Sequence, residues 1–81
     1  MKVDLTVKAS KIYRNLPVNI KRILRKQIFF LEKDLRHPSL RAKKYDEAND
    51  VWQARINNDW RFYFVVERGV ITLIHIQKHP K

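Results

Sequence analysis

Residues 51–64, VWQARINNDWRFYF, restrict this chain more than any other stretch. Trp52, Ala54 and Ile56 alternate with polar residues, and past a short polar break Trp60, Phe62 and Phe64 do the same. Period-two alternation marks a strand that buries one face. Asn57-Asn58-Asp59 has turn chemistry, because Asn and Asp accept the left-handed conformation that a three-residue hairpin loop calls for. Pairing Ile56 with Trp60 brings both apolar sets to one face, and Arg55 then stands opposite Arg61 on the other. A two-residue loop would set Ala54 against Arg61 and mix the faces, so the pattern selects the first register. Like charges directly opposed across strands destabilise the pair unless an anion lies between them. A phosphate, or a carboxylate from a partner, fits that place. Two arginines splayed into solvent, or one held by Asp50 or Glu67, would relieve the repulsion as well.

The 81 residues form one domain, 1–81, with a modest core. At 44% hydrophobic residues the chain is globular and not a disordered basic tail. Without cysteine it has neither a disulfide framework nor a thiolate metal site. No apolar run reaches the ~18 residues of a membrane span, and no signal-peptide core follows Met1-Lys2. The expectation is a soluble cytoplasmic protein with no membrane partner. Lys and Arg number 18 against 8 Asp and Glu, a net charge of +10. Such a field draws polyanions: nucleic acid, a ribosome surface or an acidic protein segment. Charge alone does not choose among them.

Val3, Leu5 and Val7 alternate with polar neighbours and predict a first strand over 1–8. Ser10 suits the N-cap of a short helix through Arg14 and Asn15. Leu16-Pro17 breaks it, and Pro17 suits the first turn of a second helix. Ile20, Ile23, Leu24, Ile28, Leu31 and Leu35 follow at helical spacing, with Lys21, Arg22, Arg25, Lys26 and Lys33 mostly off that stripe. Pro38 ends this helix, and a loop from Ser39 to Asp50 leads to the hairpin. Arg68-Gly69 is a tight turn. Val70 to Ile76, apolar at nearly every position, reads as a strand buried on both faces and central in the sheet. The order is β-α-α-β-β-β, an α+β domain with an antiparallel sheet and two helices packed on one face.

A single glycine excludes phosphate-cradling glycine loops, dinucleotide fingerprints and nucleophile elbows. His37, His75 and His79 lack the spacing of a zinc motif, so no metal is expected. What remains is a sheet face carrying Arg55, Arg61 and Tyr63, a basic loop with Arg41, Lys43 and Lys44, and His79 near the C-terminus. That inventory suits phosphodiester chemistry in RNA. The 2'-hydroxyl is an internal nucleophile, an arginine stabilises the anionic phosphorane, and a histidine acts as acid or base. It equally suits simple phosphate binding.

HPSLRAKKY (His37 to Tyr45), WQARINNDWRFYF (Trp52 to Phe64) and a closing strand ending in a histidine give the chain a further reading. Together with the element order, they resemble the RelE/ParE superfamily of type II toxin–antitoxin toxins, most nearly its RelE/YoeB-like branch. The resemblance spans essentially the whole chain. It implies a RelE-like fold and a cytoplasmic endoribonuclease (an mRNA interferase) that cleaves mRNA at the ribosome with no cofactor or metal, leaving a 2',3'-cyclic phosphate. By the same resemblance Arg61 contacts the scissile phosphate, Arg55 is the basic position on the preceding strand, and His79 is the general acid. Arg41, Lys43, Lys44 and Tyr63 are expected to hold RNA. The implied partners are mRNA, the ribosome and a cognate antitoxin with an acidic or amphipathic segment, for which Phe29 or Phe30 offers an anchor. Two alternatives stand beside this: a ParE-like inhibitor of DNA gyrase, and a catalytically inactive basic module that binds RNA or the ribosome.

Overall fold

The computed structural model describes residues 1–79. Strand β1 (Lys2–Leu5) leads into helices α1 (Val7–Arg14) and α2 (Val18–Lys33), a 3-10 turn (Pro38–Leu40), and strands β2 (Lys43–Asp46), β3 (Val51–Arg55), β4 (Trp60–Glu67) and β5 (Val70–Lys78). They build one five-stranded sheet in the order β1-β5-β4-β3-β2. The α+β class and the expected succession of elements hold, with two differences in the sheet. β2 lies inside the stretch read as a loop. Its KKYD sequence shows no apolar alternation because it is a short charged edge strand, a common guard against edge-to-edge association. The sheet is also mixed, since β1 pairs parallel with β5 while the other pairs are antiparallel. Strand direction is set by the helical crossover between β1 and the hairpins, which residue patterns within a strand do not encode.

Thr6, not Ser10, caps α1: its backbone is extended and its hydroxyl accepts from the Ala9 N–H at 3.0 Å. The Thr6 N–H donates to the Leu73 carbonyl at 3.0 Å, so the cap is also the point where the chain leaves the sheet. Helix α2 stops before Pro38 is reached. Asp34 turns extended (φ −159°), and its carboxylate accepts from the Arg36 N–H at 2.9 Å. Ala9, Ile20, Leu24 and Leu31 of the helices and Leu16 between them are buried in one cluster with Ala54, Phe62, Phe64, Ile71, Leu73 and Ile76 of the sheet and Ile56 beside β3.

Register across β3 and β4 follows the sequence pattern, with Trp52 opposite Phe64, Ala54 opposite Phe62, and Arg55 opposite Arg61. The Ile56 N–H donates to the Trp60 carbonyl at 3.0 Å, closing the three-residue loop. Its residues do not use the left-handed conformation. The Asn57 side-chain oxygen accepts from the Asp59 and Trp60 N–H groups, both at 2.9 Å, and this side-chain turn does the same work. Left-handed backbone appears at Arg68 and Gly69, the two-residue turn joining β4 to β5.

β5 is interior, flanked by β1 and β4, but its apolar run has another cause than burial on both faces. The β4–β5 register slips between Tyr63–His75 and Phe64–Leu73, leaving Ile74 as the extra residue of a bulge. The bulge reverses the alternation, so Ile71, Leu73 and Ile76 all reach the core at spacings of two and three residues. Ile74 and His75 are left toward the sheet face that the helices do not cover.

Candidate functional site

The uncovered face is organised by the same strand register. Gln53 and Arg55 of β3 stand opposite Tyr63 and Arg61 of β4, and these in turn oppose His75 and Gln77 of β5. At the hairpin end the face opens into a cavity of about 360 Å³ lined by Arg41, Lys43, Gln53, Ala54, Arg55, Arg61 and His79. It holds the cations of the expected site, apart from Lys44, and among the described residues no carboxylate lines it.

Arg61 is held at the hairpin turn. Its Nη1 donates to the carbonyls of Asn57 (2.7 Å), Trp60 (3.0 Å) and Asn58 (3.3 Å), so that among the described residues Nη2 and Nε remain for another acceptor. Arg55 donates from Nη2 to the Asn58 side-chain oxygen. Among the described residues neither arginine forms an ion pair with Asp50, Glu67 or any other carboxylate. Their mutual repulsion is eased by the neutral oxygens of the Asn57-Asn58 turn, so both positive charges stay available to an anion.

Arg41 reaches the cavity through a left-handed backbone (φ 46°) that turns the chain out of the 3-10 turn toward β2. Lys43 faces the cavity from β2, opposite Gln53. The His79 N–H donates to the Asp59 carbonyl at 2.6 Å, fastening the chain just past β5 to the hairpin loop and bringing His79 into the lining of the cavity.

Lys44 and Tyr63 fall elsewhere. Lys44 alternates to the opposite side of β2, over the Trp52 ring at 5.3 Å, and pairs with Asp50 and Glu47. The hydrogen bond that its ammonium donates to Asp50 raises its pKa above the ordinary value of 10.5. Tyr63 belongs to a second depression of about 240 Å³, lined by Tyr45, Asp46, Val51, Tyr63, Ile74, His75 and Gln77. Its hydroxyl accepts from the side-chain amides of Gln53 (3.0 Å) and Gln77 (3.2 Å), and the Gln77 oxygen lies 3.0 Å from His75 Nε2.

Gln27 is a residue that the sequence reading passed over. It occupies the buried stripe of α2 between Leu24 and Leu31, and it is 5% exposed. Its Nε2 donates to the carbonyls of Arg55 (2.7 Å) and Ser39 (3.0 Å), and its Oε1 accepts from the Ser39 hydroxyl (3.0 Å). It thus ties α2 to the backbone of Arg55 and to the turn preceding Arg41. A glutamine within an apolar i, i+4, i+7 series is the signal that would have found it, since a buried amide must satisfy each of its polar atoms.

No protein-family model matches the chain, and no curated protein matches it by sequence. Solved structures do. A YoeB/ParE toxin from Agrobacterium tumefaciens superposes with a TM-score of 0.80 at 15% identity, over 99% of this chain and 100% of that one. RelE in an archaeal RelE–RelB complex from Pyrococcus horikoshii gives 0.79 at 20% identity, over 95% and 92%. The intact E. coli RelBE toxin–antitoxin complex gives 0.75 at 17% identity, over 99% and 98%. The fold of this chain is the RelE-like α+β fold shared by these toxins.

Proposed function

We propose that this protein is the toxin of a type II toxin–antitoxin system and cleaves mRNA at the ribosome without a metal ion. The observation that carries the reading is the cavity in which Arg41, Lys43, Arg55, Arg61 and His79 converge, with no carboxylate among the described residues that line it. The fold shared with RelE and YoeB toxins supports it.

In the proposed reaction the 2'-oxygen attacks the adjacent phosphorus, a P–O2' bond forms, and the P–O5' bond breaks. The products are a 2',3'-cyclic phosphate and a 5'-hydroxyl. Arg61, already oriented by the turn carbonyls, directs its remaining donors at the equatorial oxygens as the phosphorane gains charge. Preorganised donors of this kind cost no reorganisation at the moment of reaction. Arg55 holds the neighbouring phosphate, and Arg41 steers the strand in. Lys43, the loop lysine that lines the cavity, stabilises the developing charge on the 2'-oxygen while the 2'-hydroxyl proton passes to solvent water. His79 protonates the departing 5'-oxygen.

The partner that would silence this site is an antitoxin with an acidic or amphipathic segment. Phe29 of α2 is 53% exposed with the Lys33 ammonium 4.8 Å from its ring centre, and it is the anchor we assign. Phe30 is stacked on His37 at 4.0 Å and is already occupied.

The decisive test is primer extension on a reporter mRNA in a reconstituted translation reaction, comparing wild type with Arg61→Ala. New 5' ends within the reading frame, lost in the variant and persisting when EDTA is added at magnesium levels that keep ribosomes intact, are expected. Absence of cleavage with wild type would overturn the nuclease reading, and inhibition of gyrase supercoiling by the same protein would then identify a ParE-like toxin.

A further inference from the structure

The second depression on the uncovered face has a chemistry opposite to the first. Tyr45, Asp46, Val51, Tyr63, Ile74, His75 and Gln77 line it, so it is floored by rings and aliphatic carbon and, among the described residues, contains a carboxylate but no lysine or arginine. A phosphate would be repelled there. A flat, uncharged group with polar edges would be retained.

The rings are arranged for such a guest. Tyr45 is 60% exposed and meets Tyr63 edge-on at 4.9 Å, and Tyr63 lies 5.9 Å from the His75 ring. Tyr45 owes this exposure to the β2 register shift between Lys44 and Asp46, which throws it out of the ladder. The hydroxyl of Tyr63 is fixed by Gln53 and Gln77, so the floor is rigid before anything binds. Tyr45 is thus the exposed ring, standing on a floor formed by the buried Tyr63 and the half-buried His75. An exposed aromatic ring beside a cationic groove is how proteins hold single-stranded nucleic acid, the base stacking while the cations track phosphate.

Asp46 adds selectivity. The side chain and backbone of Asn49 hydrogen-bond its carboxylate and lower its pKa, keeping it an ionised acceptor. A carboxylate accepts from exocyclic amino groups and offers nothing to a carbonyl edge. The two depressions adjoin. Gln53 lines the first and bonds Tyr63 of the second, and Tyr63 lies two residues beyond Arg61 on β4, a step of about 7 Å along a strand. One sugar–phosphate linkage bridges such a gap.

We infer that the Tyr45–Tyr63–His75 depression is a nucleobase site. It would take the base of the nucleotide next to the phosphate held by Arg55 and Arg61, in single-stranded RNA, and favour a base presenting an amino group to Asp46. The inference rests on the RNA reading above and adds to it a specificity element outside the catalytic cluster.

The test uses the full chain and short 2'-O-methyl RNAs, which cannot be cleaved, carrying in turn adenine, cytosine, guanine, uracil or no base at each position. At one position the abasic strand should bind roughly 5- to 100-fold more weakly than the amino-bearing strands. Tyr45→Ala should abolish that difference without altering affinity for the abasic strand, and Tyr45→Phe should restore it. Asp46→Asn should erase the discrimination against uracil. Equal binding of abasic and base-bearing strands at every position, with binding still lost in Arg61→Ala, would overturn the base site and leave the phosphate site standing. A Tyr45→Ala loss identical for abasic and base-bearing strands would also overturn it. Failure of wild type to bind any strand would bring down the RNA reading, and the base site with it.

Discussion

Two hairpins carry this protein's most conspicuous charges, and they treat them oppositely. The turn between β2 and β3 is acidic. Glu47 and Asp50 within it pair with Lys44, and Asp46 at its edge is bound by Asn49. The turn between β3 and β4 is built on amides. It offers carbonyls to Arg61 and the Asn58 side-chain oxygen to Arg55, but among the described residues no carboxylate pairs with either. One hairpin neutralises its cation. The other orients its cations with neutral oxygens and, among the described residues, leaves their charge uncompensated. A count of lysines and arginines would weigh the two alike, and the difference lies in what each turn presents to them.

The comparison breaks most visibly at Arg61. Arg61→Ala should lower the rate of mRNA cleavage about 100- to 1,000-fold, the scale for removing a preorganised transition-state donor, with an unchanged circular dichroism spectrum. Full cleavage by this variant would make the amide-built hairpin as silent as the acidic one. His79→Ala should reduce cleavage by roughly 100-fold or more while RNA or ribosome affinity changes only a few-fold, as expected of a proton donor. Equal losses in rate and affinity would make His79 a contact residue.

Gln27→Leu sharpens the comparison by testing what holds the arginine hairpin in place. The carbonyls of Arg55 and Ser39 would lose their buried donor, destabilising the protein by about 1–3 kcal/mol in urea unfolding. Cleavage should fall as well, because the Arg55 backbone is no longer fixed. Unchanged stability would mean that water replaces the amide.

The smallest effects belong to the acidic hairpin. Lys44→Met should leave cleavage within about two-fold of wild type, as its charge is already paired at the surface. The contact should show in the alkaline limb of stability. Because Asp50 raises the folded-state pKa of Lys44 above 10.5, the stabilisation is full below that value and disappears as pH rises through the raised pKa. Melting temperatures of wild type and Lys44→Met should therefore converge only above about pH 10.5. Asp46 behaves in mirror image. Bound by Asn49, its folded-state pKa is lowered from 3.8, so its contribution is present above that value and lost as pH falls through the lowered one. Asp46→Asn should lack that acid-limb loss. Convergence at neutral pH in either series would deny the contact a stabilising role.

The sequence by itself determined the β3–β4 register, because a one-residue slip would expose Trp52, Phe62 and Phe64 together. It also determined the opposition of Arg55 and Arg61, the helical stripe of α2 and the polyanion-seeking charge. These are local periodicities, and burial enforces them wherever the chain goes. The tertiary structure decided the rest. It set β1 parallel to β5, used the Ile74 bulge to reverse the phase of β5, and drew β2 out of a charged loop. It separated Lys43 from Lys44, adjacent in sequence but on opposite sides of an edge strand, and it brought His79 to Arg61 through the Asp59 carbonyl. Each of these depends on which backbone groups remain to be satisfied once distant segments meet, and that count closes only in the assembled sheet.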